Sequence, residues 1–182
     1  MPAESPEVPG GSFKRPGKER AISSDTKKSP GQNLVLFLSS GAWLGHLPLA
    51  PGTFGTLMGI PLYLALSRLP WWGYIVSSVL LIGGAIWTAD RAQSFYGGHD
   101  DRRIVIDEVV GYIVTMTGIT PGLFSVALGF AVFRLFDIFK PWPCRTIDRL
   151  WLSGAGVVMD DVVAGLYGLM VLHLISWRWP VL

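Results

Sequence analysis

Charged side chains are scarce in this chain of 182 residues, and cysteine is almost absent. Asp, Glu, Lys and Arg make up 15% of the chain, whereas an average soluble domain carries about 25%. Hydrophobic residues make up 50%, and eight Trp and nine Phe are among them. Because much of a small fold is surface, a soluble domain of this length cannot bury so large an apolar fraction. The composition therefore argues against a soluble domain and predicts a membrane protein.

Two further absences narrow the class of protein. The single cysteine, Cys144, excludes an internal disulfide, and a net charge of +2 does not indicate a nucleic-acid partner. Residues 1–32 are rich in Pro, Gly, Ser and Lys and lack the apolar stretch of a secretory signal. We predict that they form a disordered basic tail on the cytoplasmic side, and that residues 33–182 form the membrane domain.

Apolar stretches separated by turn residues define the predicted helices. No Asp, Glu, Lys or Arg occurs between Lys28 and Arg68, and residues 34–50 contain two glycines and one proline. That first part predicts a short helix followed by a surface or re-entrant loop. Longer helices are predicted over residues 53–69, 72–89, 100–117 (with Asp100 as its cap), 123–140 and 156–177, with a charged loop over 141–155. The predicted fold is all-α: a polytopic membrane bundle of about four to five spanning helices plus a short N-terminal or re-entrant helix.

The predicted helices place the charges on one side of the membrane. After the tail there are nine acidic residues: Asp90, Asp100, Asp101, Asp107, Glu108, Asp137, Asp148, Asp160 and Asp161. Seven basic residues accompany them: Arg91, Arg102, Arg103, Arg134, Lys140, Arg145 and Arg149. By the positive-inside rule this side is cytoplasmic. A single helix over residues 109–133, kinked at Pro121, is the rival interpretation, and it would put Asp107 and Asp137 on opposite faces.

Two pairs of adjacent acids lie beside apolar runs. An ionised side chain at the bilayer centre costs at least ~2.5–3.5 kcal/mol, so such acids are candidates for function. Asp107-Glu108 and Asp160-Asp161 are both suited to a hard cation such as Mg²⁺, which prefers oxygen ligands. The alternatives are that Arg102 and Arg103 neutralise the first pair, and that the second pair complements a helix dipole.

Cations and glycines next to these acids suggest a phosphate site. Arg134 and Asp137 are three residues apart and share a helix face, and Lys140 lies one turn further on. They could form a phosphate clamp with a metal ligand between the cations, although Lys140 could instead complement the helix dipole. Residues 50–56, Ala-Pro-Gly-Thr-Phe-Gly-Thr, precede a helix and could offer backbone amides to phosphate. The candidates there are Gly52, Thr53, Gly55 and Thr56.

The chain has three histidines, and they are weaker candidates. His99, next to Asp100, is the better candidate for proton transfer, and His46 is a more distant one. His173 lies deep in the last predicted helix, where packing or an interhelical hydrogen bond is expected.

Taken together, these stretches resemble the phosphatidylglycerophosphatase A family of bacterial membrane phosphatases. The matching stretches are residues 50–56, His99-Asp100, Ile-Val-Ile-Asp-Glu at 104–108, Phe-Arg-Leu-Phe-Asp-Ile-Phe-Lys-Pro-Trp-Pro at 133–143 and Met-Asp-Asp-Val-Val-Ala-Gly at 159–165. The resemblance covers roughly residues 34–178, and one departure is Ala155, where the family often has Gly. It implies an all-α enzyme of the bacterial inner membrane, with its site facing the cytoplasm. The implied reaction is Mg²⁺-dependent hydrolysis of phosphatidylglycerophosphate to phosphatidylglycerol and phosphate.

The residues and the implied reaction lead to one mechanistic hypothesis. Water is the expected nucleophile, with a carboxylate or His99 as general base, although an aspartyl-phosphate route stays open. The catalytic candidates are Asp107, Glu108, His99 and Asp100. The candidate ligands of one or two Mg²⁺ ions are Asp107, Glu108, Asp137, Asp160 and Asp161. The candidate substrate-binding residues are Arg134, Lys140, Gly52, Thr53, Gly55 and Thr56.

The alternatives are another metal-dependent membrane enzyme acting on a phospholipid head group, or an ion transporter that uses the buried acids. A CDP-alcohol phosphotransferase would show a spaced pattern of Asp-Gly, Ala-Arg and two later Asp residues, and this pattern is not found. A transporter would spread its polar residues through the bilayer, whereas here they cluster on one side.

Overall fold

The computed structural model describes residues 29–47, 49–97, 101–151 and 153–179, without the side chains of residues 148 and 149. Residues 1–28 of the predicted tail, and the candidates His99 and Asp100, lie outside these ranges. Within them the regular structure is helical, with no strand. This confirms the predicted all-α class.

The described residues form seven α-helices and one short 3₁₀ helix. In chain order they are α1 (Pro30–Ser39), the 3₁₀ helix (Leu44–His46), α2 (Pro51–Leu66), α3 (Trp71–Tyr96), α4 (Ile106–Thr115), α5 (Leu123–Phe139), α6 (Cys144–Leu150) and α7 (Gly154–Arg178). The start of α1 falls inside the predicted tail, because Ser29 and Gln32 form a reciprocal capping box there. Helix α6 lies within the segment predicted to be a loop.

Helix α4 begins later than predicted. The expected start at Asp100 is wrong, since the first residue of α4 is Ile106. The Asp101 carboxylate accepts hydrogen bonds from the Arg103 backbone at 3.0 Å and from its guanidinium at 2.7 and 2.6 Å. Asp side chains that bind nearby backbone groups compete with helix formation. Residues 101–105 therefore form a turn and an irregular segment in place of the first helical turns.

Two helices are long and apolar enough to cross a membrane: α3, with 26 residues, and α7, with 25. The number of helices that meet this criterion is lower than the four to five predicted spans. Helices α2, α4 and α5 are too short to meet it, with 16, 10 and 17 residues. Large apolar side chains of α3, including Trp71, Val79 and Leu80, are exposed. Such an apolar outer surface indicates a protein of the membrane.

Helix α7 packs against α4, and this contact positions the acids. At Gly165 a Cβ would lie 2.5 Å from the Gly111 carbonyl oxygen and 3.1 Å from Val114 Cβ, so only glycine permits this approach. One turn further along both helices, a Cβ on Gly168 would lie 2.8 Å from Thr115 Cγ2. The two helices therefore run in the same direction, and Asp107 and Asp161, one turn before the two glycines, become neighbours.

Candidate metal and phosphate site

Three carboxylates from two helices meet at the start of α4. One oxygen from each of Asp107, Glu108 and Asp161 lies within 4.8 Å of the other two; we call these residues the acid cluster. The two aspartates are buried, with 8% and 3% of their surfaces exposed. Mg²⁺ binds oxygen at 2.0–2.1 Å, so two opposite ligands stand about 4.2 Å apart. The cluster therefore suits a small divalent cation after minor movement of its side chains.

The hydrogen bonding of the acid cluster also fits a cation. Asp107 Oδ1, Glu108 Oε2 and Asp161 Oδ2 are buried and have no hydrogen-bond partner among the described residues. A buried carboxylate oxygen without a partner is costly unless a positive charge or a donor reaches it. A hard cation such as Mg²⁺ would satisfy all three oxygens at once.

Two ion pairs stand beside the acid cluster. Arg134 Nη1 donates to Asp137 Oδ2 within α5, as the three-residue spacing predicts. Lys140 Nζ donates to Asp160 Oδ2 and so joins the end of α5 to α7. Asp137 and Asp160 thus each accept from a cation and lie outside the acid cluster, and their role as metal ligands stays a prediction.

An open cleft of about 260 Å³ connects these groups. The acid cluster, Arg134, Asp137 and Lys140 all line it, so carboxylates suited to a metal and cations suited to phosphate share one space. The tertiary structure thus brings together residues from α4, α5 and α7 that are up to 54 positions apart, from Asp107 to Asp161.

The start of α2 forms one wall of the cleft. A Cβ on Gly52 would lie 2.9 Å from Arg134 Nη1 and closer still to Glu108 Oε1, so a larger residue there would displace the ends of these two side chains. The other candidates of this segment do not line the cleft. Thr53 donates its backbone N–H to the Ala50 carbonyl at 3.0 Å, and the buried Thr56 hydroxyl donates to the Gly52 carbonyl at 2.9 Å. Gly55 packs against Val105. The binding roles of these three residues stay predictions.

One charged residue that lines the cleft was not among the binding candidates chosen from the sequence. Arg102 lines the cleft, whereas the sequence suggested only that it neutralises the acids. Its position five residues before Asp107 was the one signal in the sequence for a place near the acids. Two histidines lie elsewhere: His46 contacts the rings of Trp43 and Tyr96, and His173 Nδ1 is 3.0 Å from the Leu169 carbonyl oxygen of its own helix.

The fold and the cleft define a helical protein with two helices long and apolar enough to cross a membrane, whose buried carboxylates could hold a metal ion next to cations suited to phosphate. The chain belongs to the phosphatidylglycerophosphatase A family, whose sequence profile matches residues 37–176. This confirms the resemblance carried by the motifs, and with it the expectation that the chain is a phosphatase.

Individual relatives agree with this membership. Phosphatidylglycerophosphatase A of Escherichia coli is 35% identical over 144 residues, which cover 79% of this chain and 84% of the relative. The enzyme of the same name from Haemophilus influenzae is 32% identical and covers 83% of this chain and 94% of its own length. A Bacteroides thetaiotaomicron protein, named provisionally as a phosphatidylinositol-3-phosphatase, is 34% identical over 79% of this chain and 94% of its own length. No solved structure matches the chain significantly.

Proposed function

We propose that this chain hydrolyses the terminal phosphate of phosphatidylglycerophosphate and releases phosphatidylglycerol and phosphate. The observation that carries the proposal is the acid cluster in the same cleft as Arg134 and Lys140. Two of the relatives bear the name of this activity. Hydrolysis of a phosphate monoester is among the slowest uncatalysed reactions, so a metal ion and fixed cations are the tools it requires.

Mg²⁺ is the metal that we propose for the acid cluster. Asp107, Glu108 and Asp161 would hold it, and Asp137, which lines the cleft, and Asp160, which is adjacent to Asp161, would be further ligands. When bound, the ion would polarise the phosphoryl oxygens and lower the pKa of water. The carboxylates would hold their charge in place without reorganisation during the reaction, because packing of α4 against α7 fixes them.

The two cations would bind the phosphoryl oxygens. Arg134 and Lys140 are each oriented by an acid, Asp137 and Asp160, so their positive charges are fixed before substrate arrives. In the proposed reaction a water oxygen bonds to phosphorus, the bond from phosphorus to the glycerol oxygen breaks, and that oxygen takes a proton. A carboxylate of the cleft or His99 would accept the proton of the water.

We also propose that the chain is a multi-pass protein of the bacterial inner membrane with its cleft facing the cytoplasm. The basic residues predicted on the cleft side support this orientation. Helix α4, about 15 Å long at 1.5 Å per residue, is too short to cross alone. However, Val105 and Met116 at its two ends are fully buried, and non-helical backbone is tolerated at membrane depth where protein covers it. Five crossings, by α2, α3, α4, α5 and α7, fit this arrangement.

The test is release of phosphate from phosphatidylglycerophosphate by the detergent-purified protein, with Mg²⁺ and with excess chelator. We expect Mg²⁺-dependent release that falls at least about 100-fold in Asp107→Asn, since even indirect partners of metal ligands are worth 10–100-fold. Phosphatidylinositol 3-phosphate is the second substrate to assay, because of the Bacteroides relative. Faster phosphate release from phosphatidylinositol 3-phosphate would make that lipid the assigned substrate. No release from either lipid by folded protein would refute the phosphatase proposal.

A further inference from the structure

The turn before α4 brings a third cation to the cleft. Arg102 lines the cleft, yet its side chain is exposed, whereas the aspartates of the acid cluster are buried. Arg102 therefore lies at the rim of the cleft and the acid cluster at its floor. Among the described residues, Arg102 has neither an ion pair nor a hydrogen bond, whereas Arg103, Arg134 and Lys140 each bind an acid.

The backbone on both sides of Arg102 is held in place. Asp101 and Arg103 form a bidentate ion pair at 2.7 and 2.6 Å, and the Arg103 guanidinium lies 3.8 Å from the ring centre of Tyr96. The Ile104 N–H donates to the Asp101 carbonyl at 2.8 Å, and the Val105 N–H donates to Ser39 at 2.8 Å. Arg102 is thus the member of the turn whose side chain is not used to hold the turn together. A cation on a fixed backbone loses less entropy when it binds a ligand.

We propose that Arg102 binds the phosphodiester of the lipid substrate, while the terminal phosphate lies deeper, at the acid cluster, Arg134 and Lys140. This inference rests on the proposed function. The substrate carries two phosphates separated by one glycerol unit, and only the diester is attached to the diacylglycerol. A cleft of about 260 Å³ does not hold the diacylglycerol as well, so the diester that carries it must lie toward the open rim when the terminal phosphate is at the floor. A guanidinium can contact two phosphate oxygens at once, which suits Arg102 to this group.

Two inhibitors separate the two ends of the cleft. Phosphatidylglycerol carries the diester without the terminal phosphate, and inorganic phosphate represents the terminal group alone. In Arg102→Gln we expect the KM for phosphatidylglycerophosphate and the Ki for phosphatidylglycerol each to rise about tenfold, as loss of ~1.4 kcal/mol of binding gives. We expect kcat and the Ki for inorganic phosphate to stay within about twofold of wild type, because the floor of the cleft is unchanged.

Control variants keep the result specific. Arg102→Lys retains the charge but not the bidentate contact, and should recover part of the loss. Arg91→Gln removes an exposed cation that stacks over Trp87 and does not line the cleft, and it should leave all four constants unchanged. An equal loss in Arg91→Gln would assign the effect to general attraction for anionic lipid and overturn the inference.

The remaining outcomes are equally decisive. An unchanged KM in Arg102→Gln, or a Ki for inorganic phosphate that rises as much as the Ki for phosphatidylglycerol, would remove Arg102 from the diester. Failure of the wild-type protein to release phosphate would refute the proposed function itself. That failure is seen before any variant is made, so the two failures are distinct.

Discussion

Lys140, the residue directly after α5, forms an ion pair with Asp160 of α7. Lys140 has a left-handed backbone, with φ of 41° and ψ of 68°, at a helix end where glycine is the usual residue. Asp160 is buried, with 2% of its surface exposed. The lysine side chain therefore has a role at this position that outweighs the strain of its backbone, which costs about 1–2 kcal/mol.

Replacing Lys140 by glycine should destabilise the protein in spite of the relaxed backbone. Loss of the amine leaves Asp160 buried without its lysine, which costs about 3–5 kcal/mol, more than the strain that is relieved. We expect Lys140→Gly to lower the free energy of unfolding by roughly 2 kcal/mol, and Lys140→Gly with Asp160→Asn to recover most of the loss. Thermal unfolding in detergent measures both. If Lys140→Gly alone were more stable than wild type, the ion pair would contribute less to stability than the backbone strain at Lys140 costs.

Gly52→Ala should impair catalysis more than it affects folding. Alanine favours helix by about 1 kcal/mol over glycine, but its Cβ would press on Glu108 Oε1 and Arg134 Nη1. We expect kcat/KM for phosphatidylglycerophosphate to fall at least about tenfold, because small displacements of catalytic groups have large effects on rate.

The matched control for Gly52 is Gly83 in α3, where a Cβ would meet nothing within 4 Å. Gly83→Ala should raise the melting temperature slightly and leave kcat/KM unchanged. Equal kinetics for the two variants would mean that Gly52 does not shape the cleft.

Binding of Mg²⁺ should be detectable without turnover. A ligand that binds the folded state alone stabilises it by about 2.7 kcal/mol at one hundred times its Kd. We expect Mg²⁺ to raise the melting temperature of the wild-type protein and chelator to reverse the rise. In Asp161→Asn the rise should disappear. Asp90→Asn is the control, because the Asp90 carboxylate lies outside the acid cluster and accepts the Gly154 N–H at 3.2 Å, which an amide oxygen can still do. An undiminished rise in Asp161→Asn would place the metal elsewhere.

The Asp101–Arg103 pair should make stability depend on pH in the acid range. The hydrogen bonds from Arg103 lower the pKa of Asp101 below its ordinary value of 3.8. The pair therefore contributes its full stability above that ordinary value, and the contribution is lost as pH falls through the lowered pKa. Arg103→Gln should be less stable than wild type by about 1 kcal/mol near pH 6, and the difference should shrink as the pH falls through the lowered pKa of Asp101. A difference independent of pH would indicate packing of Arg103 on Tyr96 instead.

Much of the fold was readable from composition and spacing. Apolar stretches located α2, α3, α5 and α7 to within a few residues of their observed ends, except for the longer C-terminal end of α3. The start of α4 and the short helix α6 were not found, because local hydrogen bonds at Asp101 and a helix of 7 residues leave no periodic pattern. Helix α4 was also shorter than a single spanning helix normally requires, and α2 and α5, with 16 and 17 residues, lie near the lower limit of that length.

Apart from Arg102, the acids and cations of the cleft were recognisable one by one, because a charged residue beside apolar helices is too costly to be kept without a partner or a function. The way these residues group in space could not be recognised from the sequence. Asp160 and Asp161 are adjacent in the chain, yet Asp160 binds Lys140 and Asp161 joins Asp107 and Glu108. Which acid faces which neighbour depends on the rotation of α7 against α4, and close packing at Gly111 and Gly165 sets that rotation. Long-range packing of this kind, like the placing of Arg102 at the rim of the cleft, depends on residues far apart in the chain and leaves no local pattern.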